Sequence, residues 1–233
     1  MAETWLDFWQ QENEFDDSMT ANYNYFLARV EQYVPLSKTR RVLDIGSGPA
    51  NLEDAWHDRV AEIDGIDISK RYNEIARAKH AAHPNVRFHD LDADDYLNFS
   101  VIDGKKFDVI IVMSVVQYYR NAAEVEQLLA QIKKVAAPGA KALICDLIVA
   151  EGMLGDIVSI LGKSLRQGQL LMMLKLLFRL RFSSYYTIRK ENGFLVIPER
   201  EWLAMCKRQG LNATFLPEPI TMQEERKTLM IQF

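Results

Sequence analysis

The sequence predicts an α/β fold: a seven-stranded, mostly parallel sheet with an antiparallel seventh strand, helices on both faces, and a helical lid insert. Three observations carry that expectation. From about residue 40, short β-branched runs alternate with helical patterns, the rhythm of a parallel sheet with crossover helices. The first run ends in a Gly46-Ser47-Gly48 turn, where the chain must bend tightly into a helix. After the last helical pattern come two strand runs joined by a turn region, and a hairpin added to a parallel sheet forces one antiparallel strand.

The strand runs are Arg41–Ile45, Ala61–Asp67, Val86–Asp90, Phe107–Val112 and Ala140–Val149, the last following a Pro138-Gly139 helix stop and turn. The first and fifth are continuously apolar, as strands covered on both faces are. Helical patterns cover Asn51–His57, Lys70–Ala82 and Ala122–Ala137. A further helix covers Pro198–Gln209, with Gly210 as its stop, and Leu211–Leu216 and Lys227–Phe233 form the hairpin. Three parts follow: an N-terminal helical cap (1–36), a body (37–150 and 196–233) and an insert (151–195).

At 233 residues, 48% hydrophobic and 26% charged, the chain can bury a core without disulfide or metal staples. Cys145 and Cys206 sit in apolar stretches and read as reduced core residues of a cytoplasmic protein. A net charge of −4 argues against a general nucleic-acid binder. The first 17 residues lack the basic and apolar regions of a secretory signal. The charge is unevenly spread: residues 1–20 hold six acidic side chains and no Lys or Arg, whereas 151–195 hold seven basic against three acidic.

The strand–glycine turn–helix of residues 42–50 (VLDIGSGPA) marks a nucleotide-type site, since helix-start amides offer donors to a ligand. Nicotinamide and flavin sites share such a turn. Three features narrow the choice. The sixth position from Gly46 is Asn51, not the third glycine of the dinucleotide fingerprint. Asp44, two residues before Gly46, suits a cationic ligand and not a pyrophosphate. Asp92, beyond the third strand, places an acid where an adenine amino group can donate. Asp67, 19 residues after Gly48, would bind a ribose diol in either class. Asp67 as a cap for the helix after Ser69, and Asp92 as the N-cap of a helix over 93–97, are the structural alternatives.

Over residues 40–150 and 196–233 the chain resembles the class I S-adenosylmethionine-dependent methyltransferases. LDIGSGPA is similar to that family's first motif, Gly65–Ser69 to its second, His89–Tyr96 to its third and Phe107–Tyr119 to its fourth. The resemblance implies S-adenosyl-L-methionine as cofactor. Gly46, Ser47 and Gly48 would line its methionine and ribose, with Asp44 near the ammonium. Asp67 would take both ribose hydroxyls, with Ile68 against adenine. Asp92 and the Ala93 amide would read the adenine edge, and Met113 and Ser114 would flank the sulfonium. Ala50 departs from the small glycine many members carry; a methyl there should be tolerable.

A hydroxyl acceptor needs a base. His57, His80 and His83 fall near helix ends, where solvation or capping accounts for them, and His89 lies on the third strand. Where many relatives place a histidine, this chain has Gln117, Tyr118 and Tyr119. Gln117 can orient an acceptor but cannot take its proton, so Asp146 is the best carboxylate candidate. The catalytic candidates are therefore Asp146, Gln117 and Tyr118, with no metal.

In the insert, Leu170–Leu180 is apolar nearly all round, with Lys175 and Arg179 on one stripe. It is too short and too charged to span a bilayer. A lid over a hydrophobic substrate, a homodimer or partner interface, and a peripheral membrane contact are the competing readings. Such a Leu- and Met-rich lid suits a hydrophobic or aromatic small-molecule substrate, and resembles methyltransferases of secondary metabolism and envelope or lipid biosynthesis. O-methylation of such an acceptor leads. A nicotinamide-dependent oxidoreductase and a non-catalytic cofactor-binding partner subunit are the alternatives.

Overall fold

The computed structural model describes residues 5–9, 16–150, 188, 190–191 and 193–233. Its strands are β1 (Arg41–Ile45), β2 (Glu62–Asp67), β3 (Val86–Asp90), β4 (Phe107–Met113), β5 (Ala136–Leu147), β6 (Asn212–Phe215) and β7 (Lys227–Gln232). They form one sheet in the order β3-β2-β1-β4-β5-β7-β6. β1 to β5 pair in parallel, and β7 runs antiparallel to both its neighbours. The chain steps outward from β1 to β3 and then returns to β4 beside β1. Strand order reverses there, so a crevice opens at the carboxyl ends of β1 and β4.

The helices are α1 (Trp5–Trp9), α2 (Asp16–Val30), α3 (Asn51–Trp56), α4 (Lys70–Lys79), α5 (Ala122–Val135) and α6 (Glu199–Arg208). Alternate strand residues feed two cores. Leu43, Ile45, Ile110, Val112 and Ile144 pack with Leu128, Ile132 and Trp202 on one face. Val42, Ile63, Val109, Ile111 and Leu143 pack with Phe26, Val30, Leu52 and Trp56 on the other. Both faces are covered, which explains the unbroken apolar runs. Ser69 and Asn121 cap α4 and α5, each side chain accepting from a backbone N–H three residues on. Cys145 and Cys206 are free and buried.

Several expected boundaries move. The Pro138-Gly139 pair lies inside β5 and not in a turn before it: α5 ends at Val135 and the strand begins at once. The pairing register of β4 and β5 shifts there, and the Gly139 N–H donates to the Phe233 carbonyl, so the pair forms an irregularity at the strand's start. α4 stops at Lys79, three residues early, because His80, His83 and Pro84 fold into turns. Ala50 is more than tolerable space: it adopts φ 68°, the left-handed region, which is why glycine is favoured there. An alanine in that region costs about 1–2 kcal/mol.

Among the described residues no helix is long and apolar enough to cross a membrane. The expectations for 151–187, including the Leu170–Leu180 helix, lie outside the described residues.

Candidate active site

The glycine turn is built by sterics and by one carboxylate. Gly46 adopts φ 78°, and a Cβ there would come 2.2 Å from a Val115 methyl, so only glycine fits. The Gly48 N–H donates to Asp67 Oδ2 at 2.9 Å, and the Ser69 N–H donates to Asp67 Oδ1 at 2.7 Å. Asp67 therefore ties the turn after β1 to the start of α4. These bonds leave each carboxylate oxygen a second lone pair, so the tie does not exclude a ligand. Burial pushes its carboxyl up, and the backbone donors of Ser69, Gly48 and Ile68 pull it back.

Behind the turn lies a group of acceptors with nothing to accept. Asp44, Ser47 and Glu53 are fully buried. Both oxygens of Asp44, both of Glu53 and the Ser47 hydroxyl have no hydrogen-bond partner among the described residues. Burial, and then the charge of Asp67, raises the Asp44 carboxyl to about 8. Burial and then Asp44 push Glu53 well above the usual carboxylate range. Gly65 on β2 makes room for them: a Cβ there would sit 2.8 Å from Glu53 Oε1 and 2.8 Å from Ser47 Oγ. Tyr23 of α2 closes the group, its phenol pushed up by burial and then by Asp44, Glu53 and Asp67. Buried carboxylates without donors are costly, and a cationic ligand relieves that cost. S-adenosylmethionine, with an ammonium and a sulfonium, fits this donor-poor, acidic pocket.

At the β2 and β3 ends, Ile68 and Ala93 are half-buried and Asp92 is exposed. Asp92 caps no helix: residues 93–97 form turns, and its Oδ1 accepts from the Asp94 N–H at 2.9 Å. The second Asp92 oxygen has no such restraint from that turn.

At the β4 and β5 ends the backbone is strained. Ser114 adopts φ 56° and Asp146 φ 65°. Non-glycine residues in this region concentrate at functional sites. Asp146 lies at a register break between Ile144 and Leu147, so it is not the ordinary strand residue its neighbours suggest. The bulge aims its side chain along β4, and Oδ2 accepts from the Ser114 hydroxyl at 2.8 Å. Arg226, just before β7, is buried here; it donates to Gln117 Oε1 at 2.8 Å and to the Asp146 carbonyl at 3.4 Å. Gln117 Nε2 donates to the Ser114 carbonyl at 3.4 Å. Ser114, Gln117, Asp146 and Arg226 thus form one polar network. Met113 is buried in the core shared by α2 and α3.

Tyr118 turns away from this network into an aromatic cluster. Its ring lies 5.0 Å from Trp5, 5.4 Å from Trp9 and 5.8 Å from Phe194. Trp5 stacks on Phe194 at 5.3 Å, and its indole N–H donates to the Gly193 carbonyl at 3.1 Å. The N-terminal helix and the chain just before α6 therefore meet over the β4 end.

The histidines lie elsewhere. His57 and His80 cap the C-termini of α3 and α4. His80 is buried against Asp54 and not solvated. His89 Nε2 meets Asp64 Oδ1 at 2.6 Å, beside Lys105. Among the described residues no cluster of His, Cys, Asp or Glu could hold a metal ion. Glu53, Arg226 and Phe194 are among the residues here that were not expected site residues. Glu53 carried a signal, a charge on the same α3 face as Leu52 and Trp56; Arg226 and Phe194 carried none.

Comparison with known proteins agrees with this geometry. Residues 42–139 match a family model described as a methyltransferase domain. A ubiquinone biosynthesis O-methyltransferase of Paracidovorax citrulli is 27% identical over 168 residues, 66% of this chain and 66% of that relative, just under two thirds of its length. One solved relative comes from the complex between the Haloferax volcanii Trm112 methyltransferase activator and the putative methyltransferase. It is 12% identical, covers 100% of this chain and 99% of its own, and superposes with a TM-score of 0.65. The N-methyltransferase NodS of Bradyrhizobium japonicum is 14% identical, covering 94% and 98%, with a TM-score of 0.53. The sheet order, with β7 inserted antiparallel between β5 and β6, is not the all-parallel dinucleotide order, and the nicotinamide reading is set aside. Residues 42–139 thus form a methyltransferase domain, and the sheet around them has the class I S-adenosylmethionine-dependent methyltransferase fold.

Proposed function

We propose that this methyltransferase O-methylates a hydrophobic or aromatic small molecule whose ring lies against Tyr118 and whose hydroxyl faces Asp146. The observation that carries it is the buried Asp146 carboxylate held by the Ser114 hydroxyl, with Gln117 of the same network followed at once in the chain by Tyr118 of the aromatic cluster. When bound, the cofactor supplies an electrophilic methyl on a sulfonium. The acceptor oxygen forms the new C–O bond as the C–S bond breaks, with its electron pair left on sulfur. The acceptor's proton passes to Asp146, directly or through the Ser114 hydroxyl that already donates to it. Gln117, held by Arg226, orients the acceptor, and Trp5, Trp9 and Phe194 exclude water. Ordering these partners can lower the barrier by about 7–11 kcal/mol.

On the cofactor side, Asp44 would hold the ammonium, Gly46, Ser47 and Gly48 would line the methionine and ribose, and Asp67 would take the ribose hydroxyls. Ile68, Asp92 and Ala93 would contact adenine, and Met113 and Ser114 would flank the sulfonium. The distant O-methyltransferase relative supports oxygen as the acceptor atom. Incubating the chain with methyl-labelled cofactor and matched phenol, aniline and benzoate acceptors tests it. Label should enter the phenol; label confined to the amine or carboxylate contradicts O-methylation.

A further inference from the structure

We infer that Glu53 is a second carboxylate of the cofactor's ammonium site, holding a proton jointly with Asp44 that the bound ammonium displaces. The assignment presupposes that the cofactor occupies the glycine turn. Glu53 reaches the site from the first turn of α3, through the space that Gly65 leaves open. Both carboxylates are fully buried, and among the described residues neither accepts a hydrogen bond from another residue, Glu53 having only its own backbone N–H. Glu53 Oε1 lies against Gly65, the β2 partner of Asp44, and two neighbouring carboxylates with no donor from another residue cannot both stay ionised there, so a proton held between them is the low-energy state. A cationic ammonium supplies N–H donors and positive charge together, and both acids can then ionise.

The surrounding groups favour this exchange. Asp44 faces Asp67 on β2, Tyr23 on α2 and Cys145 on β5, while Glu53 also senses Asp54 and, attractively, Lys79 of α4. Of these neighbours only Lys79 brings positive charge. Burial dominates for both acids, so the folded, cofactor-free chain binds protons that the unfolded chain has released above about pH 4–5. Its stability therefore falls as pH rises from there toward the raised folded values.

The test pairs calorimetry with unfolding, using Glu53→Gln, which keeps the shape and can donate to Asp44 but cannot carry the shared proton. S-adenosylhomocysteine titrated into the wild-type chain between pH 6 and 7.5, in two buffers of different protonation enthalpy, should release about one proton. Its affinity should rise close to tenfold per pH unit. In E53Q the release and the slope should shrink or vanish. Cofactor-free wild type should lose Tm from pH 5 to 8, and E53Q should lose less. Absent proton release in wild type, or equal release and equal Tm slopes in both chains, overturns the inference. Failure of the wild-type chain to bind at any pH would instead refute the cofactor's placement, and the Tm slopes would still decide the shared proton.

Discussion

The two halves of the crevice are made differently. On the β1 and β2 side, Asp44, Gly46, Ser47, Gly48, Glu53 and Asp67 come from one stretch of chain, and parallel pairing brings β1 and β2 together. On the β4 and β5 side, Trp5, Ser114, Gln117, Asp146, Phe194 and Arg226 come from almost the whole length of the chain. The first half meets its ligand with unsatisfied buried acids and a turn held by one carboxylate. The second half is already knitted together, with strained backbone and stacked rings. In the proposed scheme the local half would hold the fixed cofactor and the assembled half the variable acceptor, which is the division such a reaction needs.

The largest effect should come from the local half. Asp67→Ala removes the proposed acceptor of two ribose hydroxyls and frees the Gly48 and Ser69 N–H groups. At about 1.5–3 kcal/mol per charged hydrogen bond, S-adenosylhomocysteine affinity should fall by roughly 10²–10⁴-fold. Calorimetry reads this, and unchanged affinity would remove Asp67 from the site. Asp146→Asn should instead leave that affinity within a few-fold while kcat drops by about 10²–10⁴, the usual range for losing a general base. The wild-type pH–rate profile should lose its base limb in the variant. If both substitutions changed affinity and turnover alike, the two halves would not be separable.

The same contrast explains what was legible beforehand. The fold class and the strands β1, β2 and β3 follow from alternation and turn chemistry, both local. So do Gly46, Ser47, Gly48 and Asp67, because sterics and a short crossover fix their meaning. The β5 start was misread because Pro138-Gly139 normally breaks structure, and here the neighbouring β4 and β7 strands absorb the irregularity. Asp146 falls on the fifth strand run in the sequence, and the bulge that turns it toward Ser114 leaves no trace in composition. Arg226 and Phe194 acquire a role only when distant segments meet, and no periodicity encodes that meeting.

Two smaller effects sharpen the account of the assembled half. Arg226→Met leaves Gln117 Oε1 and the Asp146 carbonyl without their donor, and should cost about 1.5–3 kcal/mol of stability in urea unfolding. Acceptor KM should rise with it, while S-adenosylhomocysteine binding stays unchanged. Trp5→Ala removes ring contacts with Phe8, Tyr118 and Phe194, each about 0.5–1.5 kcal/mol. Its main result should be a several-fold rise in acceptor KM; an equal rise in cofactor Kd would mean that α1 serves the other half.

The most direct test of the division is a crystal structure with S-adenosylhomocysteine bound. Its ammonium should lie within hydrogen-bond reach of Asp44 or Glu53, its ribose hydroxyls on Asp67, and its sulfur at Ser114 facing Asp146. A nucleoside lying across the β4 and β5 ends, with Asp44 and Glu53 still without a donor, would contradict it.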